Sequence, residues 1–125
     1  MNIAVKNLVL SYETLANQAV KFNQAYLELL KIYEELILAP DWFSELEESG
    51  VSPLSAIASM QKEQPTIISK LQELLQLISK TQLHFTNNPE AEALRNIAHD
   101  CPLMIDFIKT IDLADLQDMF TKIKK

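Results

Sequence analysis

Residues 2–38 contain neither glycine nor proline, and their apolar positions recur every seven residues. One register position holds Met1, Leu8, Leu15, Phe22, Leu29 and Leu36, and the other holds Val5, Tyr12, Ala19, Tyr26 and Tyr33. Every one of these places is apolar or aromatic, which predicts one long helix over about 2–38. Val9, Ala16, Leu30 and Ile37 widen the stripe, while Asn7, Thr14, Lys21, Glu28 and Glu35 form a solvent face. A two-stranded coil needs only a narrow seam and favours β-branched residues in it. Three tyrosines stand there instead, and a buried tyrosine hydroxyl needs a partner. The width of the stripe therefore predicts a bundle of three or more helices rather than a paired coil.

Pro40 ends this helix, because the residue before a proline is pushed out of the helical region. "DWFSELEE" reads as a short amphipathic connecting helix over about 41–48, and Gly50 is its stop signal. Ser52 then offers an N-cap with Pro53 at the first helical position. A second arm of the pattern covers about 53–86, with Ile68, Leu71, Leu75, Ile78 and Phe85 on one face and Ile67 and Leu74 beside them. Pro65 predicts a kink or split within it. Asn88 and Pro89 start a last arm over about 89–124, with a break expected near Pro102. A second break is expected at Asp112, because the apolar set restarts there as Leu113, Leu116, Phe120 and Ile123, rotated by about 100°.

The expected fold class is thus all-α, an elongated bundle built on the long N-terminal helix as a single domain. Each arm would span roughly 50–55 Å if straight. Either the arms lie side by side, or the later ones fold back in pieces and leave part of the first helix bare. A bare apolar face would call for a partner or for self-association.

Composition narrows the functional classes. The 125 residues carry a net charge of −6, and Arg95 is the only arginine. Nucleic-acid binding needs a cationic footprint that is missing here. Cys101 stands alone, so neither an internal disulfide nor a multi-cysteine metal site can form. The N-terminal stretch fits neither a signal peptide nor a membrane span, and a cytoplasmic protein without membrane contact is expected.

Catalytic signals are sparse. Neither His84 nor His99 has the Glu-x-x-His or His-x-x-x-His spacing that places metal ligands on one helix face. With one glycine in the chain there is no phosphate-cradling loop, and no cofactor is expected. "LRNIAHDCP" brings Arg95, His99, Asp100 and Cys101 together, and Arg95 and His99 share a helix face at i and i+4. Over about five residues this resembles the Arg-to-His motif of HEPN-type helical ribonucleases, with Asn96 as the polar residue after the arginine. Fewer residues separate the pair here than in that family, so the chain is not assigned to it. The resemblance implies an alternative in which Arg95 and His99 cleave RNA at a dimer seam. A second alternative is a hydrophobic-ligand carrier with the helix-one tyrosines lining a cavity.

Trp42 and Phe43 sit among six carboxylates in residues 34–50. Adjacent helical residues point about 100° apart, so the pair forms a wedge. It can cap the bundle over Tyr33, Leu36 and Ile37, or it can meet a partner, with Phe43 inward and Trp42 at the rim as the intermediate case. Buried aromatic anchors with an acidic rim would select a basic partner. The leading expectation is a non-catalytic interaction module, such as an adaptor, chaperone-like or regulatory subunit. Its contacts are expected at Trp42, Phe43, Glu45, Leu46, Tyr26 and Tyr33.

Overall fold

The computed structural model describes residues 3–82 and 89–124, which form five helices: α1 (Ile3–Leu38), α2 (Trp42–Glu48), α3 (Pro53–Gln82), α4 (Pro89–Lys109) and α5 (Leu113–Lys124). Three arms lie side by side in an up-down-up arrangement. Contacts from α3 to the last arm step in opposite directions, from Leu71 with Cys101, through Gln64 with Ile108, to Gln61 with Gln117. The last arm runs parallel to α1, with Asp100 near Tyr12 at one end and Phe120 against Tyr33 at the other.

The heptad of α1 is realised along its length. All the seam positions among the described residues are buried or half-buried, from Val5 to Leu36, both fully enclosed. Asn7, Thr14, Lys21, Glu28 and Glu35 are exposed, as the polar face requires. Ile37 departs from expectation: it is exposed, because α1 ends one residue later, beyond the last layer of the core. The folded-back outcome does not occur, since the chain's own arms sheathe the stripe. Met1 of the seam, Phe85 of the 53–86 apolar face, the Asn88 helix start and the candidate histidine His84 lie outside the described residues.

Pro65 does not split its arm, and α3 is one 30-residue helix with the proline inside. The buried stripe explains this. Ile57, Met60, Ile67, Leu71, Leu74 and Ile78 step by three or four residues on either side of the region, and Pro65 points to solvent. The missing N–H therefore falls on the side where water can serve the freed carbonyl. The core face is Ile67–Leu71–Leu74–Ile78, with Ile68 and Leu75 half-buried beside it, a small rotation from the expected face. Pro102 likewise lies inside α4 without ending it.

The break at Asp112 is present. Its Oδ1 accepts the backbone N–H of Asp115 at 2.9 Å, an N-cap bond that opens α5. Across the same break, Gln64 Nε2 donates to the carbonyl oxygens of Ile108 at 2.8 Å and Ile111 at 2.9 Å. One primary amide thus serves two carbonyls that a continuing helix would have served. The other starts and stops follow the expected chemistry. Ser52 Oγ accepts from the N–H of Ser55 at 3.2 Å, and Pro53 is fully buried at the first position of α3. Gly50 adopts φ +91°, and its N–H donates to Glu47 O at 3.1 Å while Val51 N–H reaches Leu46 O at 2.9 Å.

Candidate functional site

The end of the bundle that carries α2 is built around an aromatic cluster. Phe43 is 3% exposed and meets Phe120 edge-on, with ring centroids 6.2 Å apart, and Tyr33 also meets Phe120, at 5.7 Å. Lys124 closes the cluster from outside, with Nζ 3.1 Å from Glu47 Oε2 and 5.9 Å from the Phe43 ring centre. Phe43 is therefore part of the core, and its ring is not available to a partner. Trp42 and Leu46 are half-buried against the same core, and Glu45 is exposed. Tyr26 and Tyr33 are half-buried in α1. Of the wedge, Phe43 points inward and Trp42 is half-buried beside it.

Beside this end, α1 and α3 leave an apolar groove of about 340 Å³. Buried Leu29, Pro53 and Met60 are core side chains that also form its lining. Ala25 and Ile32 line it from α1, Ala56 and Ser59 from α3, and Val51, 45% exposed, comes from the loop between α2 and α3. The volume lies at the lower end of the range of about 300–1,000 Å³ typical of ligand pockets. No tyrosine lines it.

The chain segment that contributes Glu28, Leu29, Ile32, Val51 and Pro53 to the groove is acidic in sequence. Residues 28–53 contain seven carboxylates against the single cation Lys31, so the whole formal charge of −6 falls in this segment. The rest of the chain balances ten acidic against ten basic residues. Glu28 lines the groove itself, and Glu35 stands one heptad further along the same exposed face of α1.

The polar pair Arg95 and His99 is exposed on α4. His99 Nδ1 lies 3.0 Å from Asp100 Oδ1, with its side chain 77% exposed. Cys101 is buried, and its thiol donates to Leu71 O at 3.4 Å. Burial pushes this thiol above its usual 9.0, which keeps it protonated and unreactive near neutrality. Tyr12 is also raised, by burial first and then by the negative charge of Asp100 and of Cys101 when ionised. Among the described residues no three His, Cys, Asp or Glu side chains converge as a metal site, and no helix is long and apolar enough to cross a membrane.

The heptad seam alone does not reveal the groove, yet the sequence carries a trace of it. Ala25 and Ile32 extend the apolar stripe on the flank opposite Ile37, and "SAIAS" at 55–59 supplies a run of small residues on α3. Compared with profiles of known families, with curated proteins and with solved structures, the chain matches none.

Proposed function

We propose that this protein is a non-catalytic interaction module that binds another protein through the helix faces at the α2 end of its bundle. The observation that supports this reading is the α1–α3 groove, an opening onto core side chains lined in part by the segment 28–53, whose formal charge equals that of the whole chain. Apolar floors with charged rims are the anatomy of protein interfaces, where the floor supplies affinity and the rim supplies selectivity. Glu45 and the exposed part of Trp42 stand on α2, a few residues before Val51 at the groove, and extend the surface available to a partner.

The test compares the wild-type chain with Ala56→Trp, in which an indole occupies the groove from an exposed position on α3. Both are immobilised and exposed to extract of the native cell, and retained proteins are purified and rebound individually. The reading expects a protein that binds the wild type as a purified pair and binds Ala56→Trp at least ~10-fold more weakly, a loss of about 1.4 kcal/mol. If every purified binder ignores Ala56→Trp, the groove is not the contact and the proposal fails.

A further inference from the structure

We infer that the occupant of the α1–α3 groove is a single amphipathic helix of a partner protein, with Lys or Arg along the flank that faces α1. This rests on the interaction function proposed above and goes further by naming the chemistry of the partner.

Shape argues for a helix. The α1 wall from Ala25 to Ile32 covers eight residues, whose seven rises span about 10 Å and match two turns of a docked helix. Helix-in-groove recognition uses apolar anchors at i, i+3 or i+4 and i+7, and the floor of Leu29, Pro53 and Met60 is apolar throughout. The α3 wall is made of small side chains, Ala56 and Ser59, so a backbone can approach it closely. Other recognition modes lack their requirements. Strand addition needs a sheet edge, and polyproline binding needs an aromatic-lined groove, which this one is not.

Charge fixes which way the helix faces. The α1 wall bears Glu28, and Glu35 lies one heptad beyond the lining on the same exposed face, whereas residues 51–61 of the α3 side contain no charged residue at all. Cationic side chains are thus favoured along one flank only, and the uncharged wall takes the small or polar flank. An anionic surface such as nucleic acid or an acidic membrane is repelled by the same segment. A second copy of this chain would bring its own −6 into the contact.

The experiment selects from a displayed library of helical peptides against the full-length chain, with randomised flanks around an apolar i, i+3, i+7 core. Winners are expected to carry Lys or Arg on one flank. They should lose at least ~10-fold in affinity against Glu28→Lys/Glu35→Lys at low salt, and most of that difference should vanish at ~1 M salt, where the screening length is about 3 Å. They should not bind Ala56→Trp. Groove-dependent winners with neutral or acidic flanks would overturn the basic occupant and leave the interaction reading standing. Winners indifferent to Ala56→Trp, or no winners at all, would overturn this inference too. Concentration-dependent dimerisation of the chain, measured by light scattering and abolished by Ala56→Trp, would replace the partner helix with a second copy.

Discussion

Replacing Gln64 tests how the last arm turns its corner. Its amide gives one hydrogen to Ile108 O at 2.8 Å and the other to Ile111 O at 2.9 Å, tying α3 to the end of α4 and to the linker that leads into α5. A net contribution of about 1 kcal/mol per bond puts Gln64→Leu, which keeps the volume but removes both donors, at a cost of about 2 kcal/mol. Gln64→Glu is the sharper variant, because it keeps the shape and turns two donors into a carboxylate facing two carbonyl oxygens. The expected cost at pH 7 is larger, about 3 kcal/mol or more, since a partly buried charge is left without a donor. The carboxyl at 64 would be raised above the ordinary glutamate value of about 4.3. A raised pKa means that stability is retained below the unfolded value and lost as pH climbs through the folded one, so the gap from wild type should narrow at pH 3–4. Urea unfolding monitored by circular dichroism at both pH values measures this. With a slope of about 2 kcal/mol per molar, Gln64→Leu should shift the midpoint by about 1 M. A loss below about 0.5 kcal/mol, or Glu proving milder than Leu at pH 7, would refute the bridge as a structural device.

Phe120→Ala removes a fully buried ring that Phe43 and Tyr33 both contact, and should cost about 3–5 kcal/mol in the same unfolding assay. Pro65→Ala restores a helical N–H at an exposed position inside α3 and should raise stability by about 2 kcal/mol, the helix-interior penalty less the gain proline gives through the unfolded chain. Cys101 and Tyr12 are both raised above their usual 9.0 and 10.0, so the folded chain holds their protons more tightly than the unfolded one. Stability should accordingly be level up to about pH 9 and fall above it, and Cys101→Ala should delay the onset. Added salt should raise the melting temperature by screening the carboxylates of residues 28–53, and Glu45→Gln/Glu48→Gln should reduce that response.

Most of the architecture is legible in the sequence because it follows from periodicity. The seam from Val5 to Leu36, the caps at Ser52 and Asp112 and the stop at Gly50 each follow from a local rule that the fold obeys. Neither proline splits its helix, and a proline's effect depends on which side of the helix it occupies. At Pro65 the stripe running from Ile57 to Ile78 leaves the ring in solvent, and tertiary packing holds the helix together across the lost bond. Gln64 stands in a polar stretch, "QKEQ", yet it falls in step with Ile57, Met60, Ile67 and Leu71. A polar residue in register with a buried stripe needs a partner, and that requirement is the clue the sequence offers. Of the expected contact residues, Phe43 is core, while the groove itself depends on how α1 and α3 are spaced, which periodicity does not encode.

The structure also shifts the grounds for expecting a partner. A stripe too broad for its neighbours would have implied that the folded chain is incomplete, but α3, α4 and α5 cover its seam from Val5 to Leu36 and leave Ile37 exposed beyond it. One opening lies beside α2, where Pro53, Leu29 and Met60 serve the core and the groove at once. Such a floor is rigid because the fold depends on it, so a docking helix would meet a surface already in place and order little of the protein on binding. The acidic segment has the opposite character, with Glu35, Asp41, Glu45 and Glu48 all exposed and outside the packed core. Substitutions there should alter partner choice with little effect on the fold, whereas substitutions in the floor should alter both. That separation makes Glu28 and Glu35 the informative positions: they can change the sign of the rim while leaving the bundle beneath it intact.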